Sequence, residues 1–162
     1  MLYQWVKVGR SGEQSFSRKG AGGLLIGTYS QKLDEKGRLN FPVRFRDEMG
    51  DQFYVTCWLD ECLIALPAAR FEQIFARLTE SGMVKNRGLR RMLYAGAVEA
   101  VPDKQGRILL PPPLREHAGL DKEVVVIGVG DCVELWDPAR WKAMQDSMRS
   151  GDSAAAMEEL DL

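Results

Sequence analysis

Leu33-Asp34-Glu35-Lys36-Gly37-Arg38-Leu39 decides the fold of this chain, because its Asp-x-x-Gly-Arg core returns 69 residues later as Asp103-Lys104-Gln105-Gly106-Arg107. The same shift places Gly27, Asp34, Gly37, Arg38, Pro42, Arg46 and Gly50 on Gly96, Asp103, Gly106, Arg107, Pro111, Arg115 and Gly119. These are seven identities in the 24 positions 27–50, where unrelated pairing at ordinary composition would give about 1–2. Leu39, Phe41 and Phe45 fall on Ile108, Leu110 and Leu114. After one extra residue in the second copy the shift is 70, and Cys62, Ala69 and Arg70 fall on Cys132, Ala139 and Arg140. Phe71, Ile74 and Leu78 meet Trp141, Met144 and Met148. One unit of about 50 residues is therefore written twice.

The unit reads outward from its turn. Asp34 can bond the backbone two residues on, and Gly37 supplies a positive φ. Gly27–Leu33 before it predicts a strand, and Arg38-Leu39-Asn40-Phe41 alternates as a half-buried strand. Pro42 stands where a helix begins. Val43–Met49 is that short helix, with Phe45 and Met49 on one face and Gly50 closing it. Residues 52–59 and 62–66 predict a hairpin around Asp60-Glu61. Pro67 opens a longer helix with Phe71, Ile74, Phe75 and Leu78 at i, i+3, i+4 and i+7. A further helix over 85–95 is expected to turn Leu89, Met92 and Leu93 inward and to leave Lys85, Arg87, Arg90 and Arg91 on its other side.

A unit of four short strands with one apolar face is too small to stand alone. The expectation is an α+β fold in which the two β-rich repeats pack about a pseudo-twofold axis and close one small barrel. Closure would hide the strand edges. Helices 67–80 and 138–148 flank that barrel. The expected segments are a flexible N-terminal extension (1–23), repeat 1 with its helix (24–80), a connecting basic helix (81–95), repeat 2 with its helix (96–148) and an acidic flexible tail (149–162). The extension is rich in Gly, Ser and Gln; an edge strand over Leu2–Val8 is its alternative reading.

Composition bounds the function. With 22 Lys and Arg against 23 Asp and Glu, the net charge is −1, so charge alone does not argue for nucleic acid. The charge is uneven, however. Residues 83–91 carry four cations and no acid, while the segment from Asp146 onward is acidic. Three cysteines and no apolar leader point to reduced thiols in a cytoplasm. Cys57 and Cys62 have no second ligand pair, so buried inert thiols are expected and no metal or other cofactor. No apolar run approaches the ~20 residues that span a bilayer.

Enzyme signatures are missing. There is no Gly-x-Ser-x-Gly, no phosphate-binding Gly-x-x-x-x-Gly-Lys and no His-Glu-x-x-His. The single histidine, His117, lies near a helix end, where it caps or packs. Asp34 and Asp103 suit turns that hold an ion-paired arginine, with Gly37 and Gly106 supplying the bend. Arg38 and Arg107 leave two readings open. Each pairs internally and fixes its loop, or each presents its planar fork to a DNA phosphate or guanine edge. Lys36, Lys104 and Arg44 stand beside them as further phosphate contacts. Arg46 shares the positive start of the short helix with Arg44. The basic stretch Lys85–Arg91 is either a solvated helix face or a phosphate contact.

Residues 27–42 (Gly27 through Pro42), with Asp103–Pro111, Leu114-Arg115-Glu116-His117-Ala118-Gly119-Leu120 and Cys132–Asp137, closely resemble the MraZ family over about residues 24–148. The resemblance implies two AbrB-like units per chain in a swapped-hairpin type of barrel. It also implies a ring-forming homo-oligomer, octamer or larger, that binds short direct repeats of double-stranded promoter DNA. Such a protein regulates the bacterial division and cell-wall gene cluster, its own promoter included, at the nucleoid. Arg38 and Arg107 become the leading DNA contacts, with Asp34 and Asp103 holding their loops. The competing expectation is an oligomeric scaffold for a partner protein, with both arginines purely structural.

Overall fold

The computed structural model describes residues 23–149 and 152–160; the N-terminal extension through residue 22 lies outside them. Repeat 1 runs β1 (Leu25–Lys32), β2 (Arg38–Asn40), α1 (Val43–Met49), β3 (Phe53–Cys57), β4 (Leu63–Pro67) and α2 (Ala68–Glu80), and α3 (Arg87–Ala95) comes next. Repeat 2 runs β5 (Val98–Ala100), β6 (Arg107–Leu109), α4 (Pro112–Ala118), β7 (Glu123–Gly130), β8 (Val133–Trp136) and α5 (Pro138–Arg149), and α6 (Asp152–Glu159) closes it. The chain is thus a mixed α+β protein with antiparallel strands.

Strand pairing shows how the repeats interlock. One six-stranded antiparallel sheet has the order β1-β7-β8-β4-β3-β5. Each repeat's first strand therefore pairs with the other repeat's third: β1 with β7, and β5 with β3. The order reads the same from both ends when the repeats are exchanged. Leu39 opposite Ile108 and Ile64 opposite Glu134 are residues facing their own counterparts, so the pseudo-twofold axis passes through both pairs.

The second strands stand apart. β2 and β6 form a two-stranded ribbon, tied to the rest of repeat 1 by a bridge between Leu33 and Leu39. Here the structure corrects the expectation of a closed barrel. The six-stranded sheet ends at β1 and β5, and the ribbon does not join either edge by a ladder. Each ribbon strand is three residues long and runs into Pro42 or the Pro111-Pro112-Pro113 run, which lack the N–H that a ladder needs.

Side chains do the enclosing instead. Leu39 and Ile108 on the ribbon, Phe41, Phe45 and Met49 of repeat 1, and Leu110, Leu114 and Ala118 of repeat 2 share one core with the facing sheet residues Phe53, Val55, Val124 and Val126. Both repeats feed this core, so neither can bury its apolar surface alone. The opposite sheet face carries Ile64 and Leu66 under Phe71 and Ile74 of α2, and Val125, Ile127 and Trp136 under Trp141 and Met144 of α5. The ribbon and the outer helices thus lie on opposite sides of the sheet.

Cross-repeat arginines reinforce the interlock. Arg46 Nε donates to the Phe41 carbonyl at 3.0 Å, and Arg115 Nε donates to the Leu110 carbonyl at 3.0 Å. Each guanidinium then lies against the turn glycine of the other repeat, Gly106 for Arg46 and Gly37 for Arg115. On the helix side, Arg70 pairs with Asp131 at 2.7 Å. Its counterpart Arg140 donates to the Glu61 carbonyl at 3.1 Å. Arg46, Arg115, Arg70 and Arg140 are therefore clasps between the repeats.

Two local expectations change. α3 turns Leu93 inward and half-buries Arg90 and Tyr94, while Leu89 stays exposed. The Tyr94 ring meets Phe71 and Phe75 edge-on at 5.2 and 5.1 Å, and this aromatic cluster sets the helix rotation. Arg90 accordingly leaves the solvated face and lies over the Phe75 ring at 5.7 Å. The acidic tail carries α6, whose Ala154-Ala155-Ala156 run has the highest helix propensity of any residue type. No described helix is long and apolar enough to cross a membrane.

Candidate nucleic-acid interface

Each Asp-x-x-Gly-Arg turn is built on one aspartate with three donors. Asp34 Oδ1 accepts the amides of Lys36 at 3.0 Å and Arg38 at 2.8 Å, and its Oδ2 accepts Arg38 Nε at 2.7 Å. Asp103 repeats this with the amides of Gln105 and Arg107, both at 2.9 Å, and Arg107 Nε at 2.9 Å. The backbone amide of Arg38, then its guanidinium, hold the Asp34 carboxyl below the usual carboxylate range against a desolvation effect that opposes them. Asp103 is lowered in the same way by Arg107. Both are ionised acceptors with three donors each, which suits a scaffold for the turn.

The arginines are held by one nitrogen only. Among the described residues, the hydrogen bonds of Arg38 and Arg107 use Nε and leave both Nη groups of each guanidinium without a protein acceptor. The Nη edge is the fork that matches phosphate or the guanine O6/N7 pair. Internal pairing and an outward-facing fork thus coexist in one side chain.

The ribbon then sets the two forks on one face. Leu39 and Ile108 point into the core at 0% and 1% exposure, so the alternate residues Arg38, Asn40, Arg107 and Leu109 share the outer face. Arg107 is opposite Asn40, two residues from Arg38, a diagonal of about 7–8 Å. The amide of Phe41 donates to the Gly106 carbonyl at 3.0 Å, and the amide of Leu110 to the Gly37 carbonyl at 2.8 Å. These bonds stitch each turn to the far strand, so the Arg38 and Arg107 backbones are fixed relative to each other.

The remaining candidates are less alike than the turns. Lys36 and Lys104 are both exposed, but the counterpart of Lys36 is Gln105 and that of Lys104 is Glu35. Arg44 is exposed on the first turn of α1, and its counterpart is Pro113. The structure adds Asn40 and Leu109 to the ribbon face, which sequence reasoning missed; the alternation around Leu39 and Ile108 is their signal. His117 Nε2 sits 3.1 Å from the Trp58 carbonyl, a packing contact between repeats. The Cys62 and Cys132 thiols are each pushed up to about 12, chiefly by burial, so neither is a thiolate near neutral pH. No cluster of His, Cys, Asp or Glu suited to a metal occurs among the described residues.

This geometry makes two predictions for the turn. Asp34→Ala should destabilise the protein more than Arg38→Ala, because it strands two backbone amides while the arginine change strands none; urea denaturation of both variants decides. Because folding lowers the Asp34 and Asp103 carboxyls, their contribution is complete above the unfolded carboxylate pKa of about 4 and is lost as pH falls through the lower folded values. Asp34→Asn/Asp103→Asn should flatten the stability–pH curve below about pH 4; an unchanged slope would show that the turns do not carry it.

The geometry defines a class: a tandem-repeat α+β chain whose repeats exchange their first strands and present a symmetric arginine ribbon. Residues 24–89 and 93–162 match the family described as MraZ protein, putative antitoxin-like. The Leuconostoc mesenteroides subsp. mesenteroides protein named Transcriptional regulator MraZ is 46% identical over 122 residues, covering 74% of this chain and 85% of its own. The protein of that name from Nocardioides sp. is 46% identical over 140 residues, covering 85% and 93%. The one from Finegoldia magna is 37% identical over 143 residues, covering 86% and 100%. The chain belongs to the MraZ family.

Proposed function

We propose that this protein is a sequence-specific DNA-binding transcriptional regulator, with no reaction chemistry of its own. The carrying observation is the ribbon: Arg38 and Arg107, each guanidinium held through Nε, stand diagonally across its outer face, their backbones about 7–8 Å apart. A two-stranded ribbon is one of the elements the major groove admits. The relatives named above are transcriptional regulators by name, which supports the same reading. Arg38 and Arg107 contact base edges or phosphates; Lys36, Lys104 and Arg44 add phosphate contacts at the rim.

A subunit whose 22 Lys and Arg are offset by 23 Asp and Glu has little net attraction for DNA, so a single contact is weak and salt-sensitive. Several subunits on consecutive repeats convert weak contacts into avidity. The proposed assembly is therefore a homo-oligomeric ring of AbrB-like repeat pairs on short promoter repeats of the division and cell-wall gene cluster, at the nucleoid in the cytoplasm. The test is fluorescence anisotropy with duplex from upstream of the protein's own gene, over a salt series. Arg38→Ala is expected to weaken binding by about 10-fold or more at about 0.15 M salt while leaving the unfolding midpoint nearly unchanged. Equal DNA binding with a broken assembly would instead favour a structural scaffold.

A further inference from the structure

Turn 1 (Asp34–Arg38) and turn 2 (Asp103–Arg107) share one scaffold and differ in the charge at its tip. Asp34 and Asp103 hold the same three donors, so each residue of turn 1 occupies the place of its counterpart in turn 2. Glu35 therefore stands where turn 2 has Lys104, and Lys36 where turn 2 has Gln105. All four are exposed. Among the described residues Glu35 has no cationic partner and Lys104 no acidic one. Turn 1 thus sets two carboxylates, Asp34 and Glu35, against Lys36 and Arg38. Turn 2 sets Asp103 alone against Lys104 and Arg107. The charges around the turns do not remove this difference. Lys32, just before turn 1, stands across the ladder from Glu123. Arg44, on the side of turn 2, has the neutral counterpart Pro113, and Asp51, which lines a cleft with Asp103, has the neutral counterpart Leu120. These offset each other, so the turn tip itself separates the two ends of the ribbon.

We propose that the two turns grip DNA unequally: Lys104 of turn 2 anchors a backbone phosphate, and Glu35, at the matching place on turn 1, repels one. The same site cannot attract a phosphate with both an ammonium and a carboxylate. Phosphate contacts carry no sequence information. Glu35 therefore lowers the part of the affinity that every duplex shares and leaves a larger share to the arginine forks, which is how a repulsive element serves specificity. The inference rests on the ribbon as the DNA-binding face and assigns its two ends different roles.

The experiment is fluorescence anisotropy on the full chain over a salt series with two duplexes, one from upstream of the protein's own gene and one unrelated, of equal length. The chains are wild type, Glu35→Lys, Lys104→Glu, the swap carrying both changes, and Glu72→Lys. The last makes the same charge change at an exposed position of α2, on the other side of the sheet. Each turn variant carries a residue that the other turn already holds at that place, so the fold is retained; circular dichroism and the unfolding midpoint check it. Glu35→Lys is expected to tighten both duplexes by about 5-fold or more at about 0.15 M salt and to steepen the slope of log K against log salt by about 0.9. Lys104→Glu is expected to weaken both by a similar factor, the swap to return close to wild type, and Glu72→Lys to change little. Unchanged affinity in Glu35→Lys, or an equal gain in Glu72→Lys, overturns this inference and leaves the ribbon as the DNA face. A gain confined to the promoter duplex also overturns it, since position 35 would then read bases. A wild type that binds neither duplex, or binding indifferent to Arg38→Ala/Arg107→Ala, overturns the ribbon reading and this inference together.

Discussion

A chain carrying both Arg38→Ala and Arg107→Ala is expected to lose promoter binding by at least about 30-fold at about 0.15 M salt, since each well-placed guanidinium contact is worth roughly 1–3 kcal/mol. The fold should persist. The aspartates keep their bonds to the backbone amides of residues 36, 38, 105 and 107, and the ribbon keeps its ladder and buried Leu39 and Ile108. The salt dependence separates the two ways the forks can act. If they bind phosphates, the slope of log K against log salt becomes shallower by about 0.9 for each phosphate no longer neutralised. If they read base edges, the slope stays nearly constant, and the variant loses discrimination between promoter and unrelated duplex. A double variant that binds promoter as tightly as wild type would remove the ribbon from the interface altogether.

Gly37→Ala is expected to destabilise the protein by about 2–4 kcal/mol, the combined effect of a left-handed backbone and overpacking. Gly37 has φ +81°, and a Cβ there would lie 2.7 Å from the Leu110 carbonyl oxygen. That oxygen is backbone of the opposite repeat, at the point where the Leu110 amide donates to the Gly37 carbonyl, so it cannot withdraw without opening the ribbon. Gly106→Ala meets a softer obstacle. Its Cβ would lie 2.6 Å from Cζ of Arg46, and that side chain can swing away at the expense of its bond to the Phe41 carbonyl. Urea midpoints should therefore rank wild type above Gly106→Ala, and Gly106→Ala above Gly37→Ala. Equal loss at the two glycines would mean that φ alone governs both sites.

The duplication, the turns and most elements are legible in the sequence because their causes are local. Asp34 and Gly37 specify a turn within five residues, and Phe71, Ile74 and Leu78 specify a helix by spacing. Strand pairing is another matter. Nothing in Leu25–Lys32 says that its partner is Glu123–Gly130 and not its own repeat, since an alternating strand specifies a face and not a neighbour. For the same reason a closed barrel cannot be told from a sheet with a detached ribbon; that outcome turns on Pro42 and Pro111 cutting short two strands. Arg46 and Arg115 stand among the repeated identities. Their repetition marks them as important, yet their role across repeats depends on the strand exchange. Leu89 fits an inward stripe by spacing, and the aromatic ring of Tyr94 prevails because it finds Phe71 and Phe75 to pack on.

The outer face of the ribbon carries one further piece of information. Its arginines are interchangeable by the pseudo-twofold axis, and a surface of Arg38 and Arg107 alone would sit on a duplex equally well either way round. Between them stand Asn40 and Leu109, which occupy the same position in the two repeats and are chemically opposite. An asparagine suits the paired donor and acceptor of an adenine edge, and an apolar side chain suits a thymine methyl group. Under the proposed function the near-symmetric ribbon would have a direction, and chains laid on a tract of DNA would all point the same way. Sites arranged head to tail accommodate such a reader, whereas inverted sites would require every second chain to turn round.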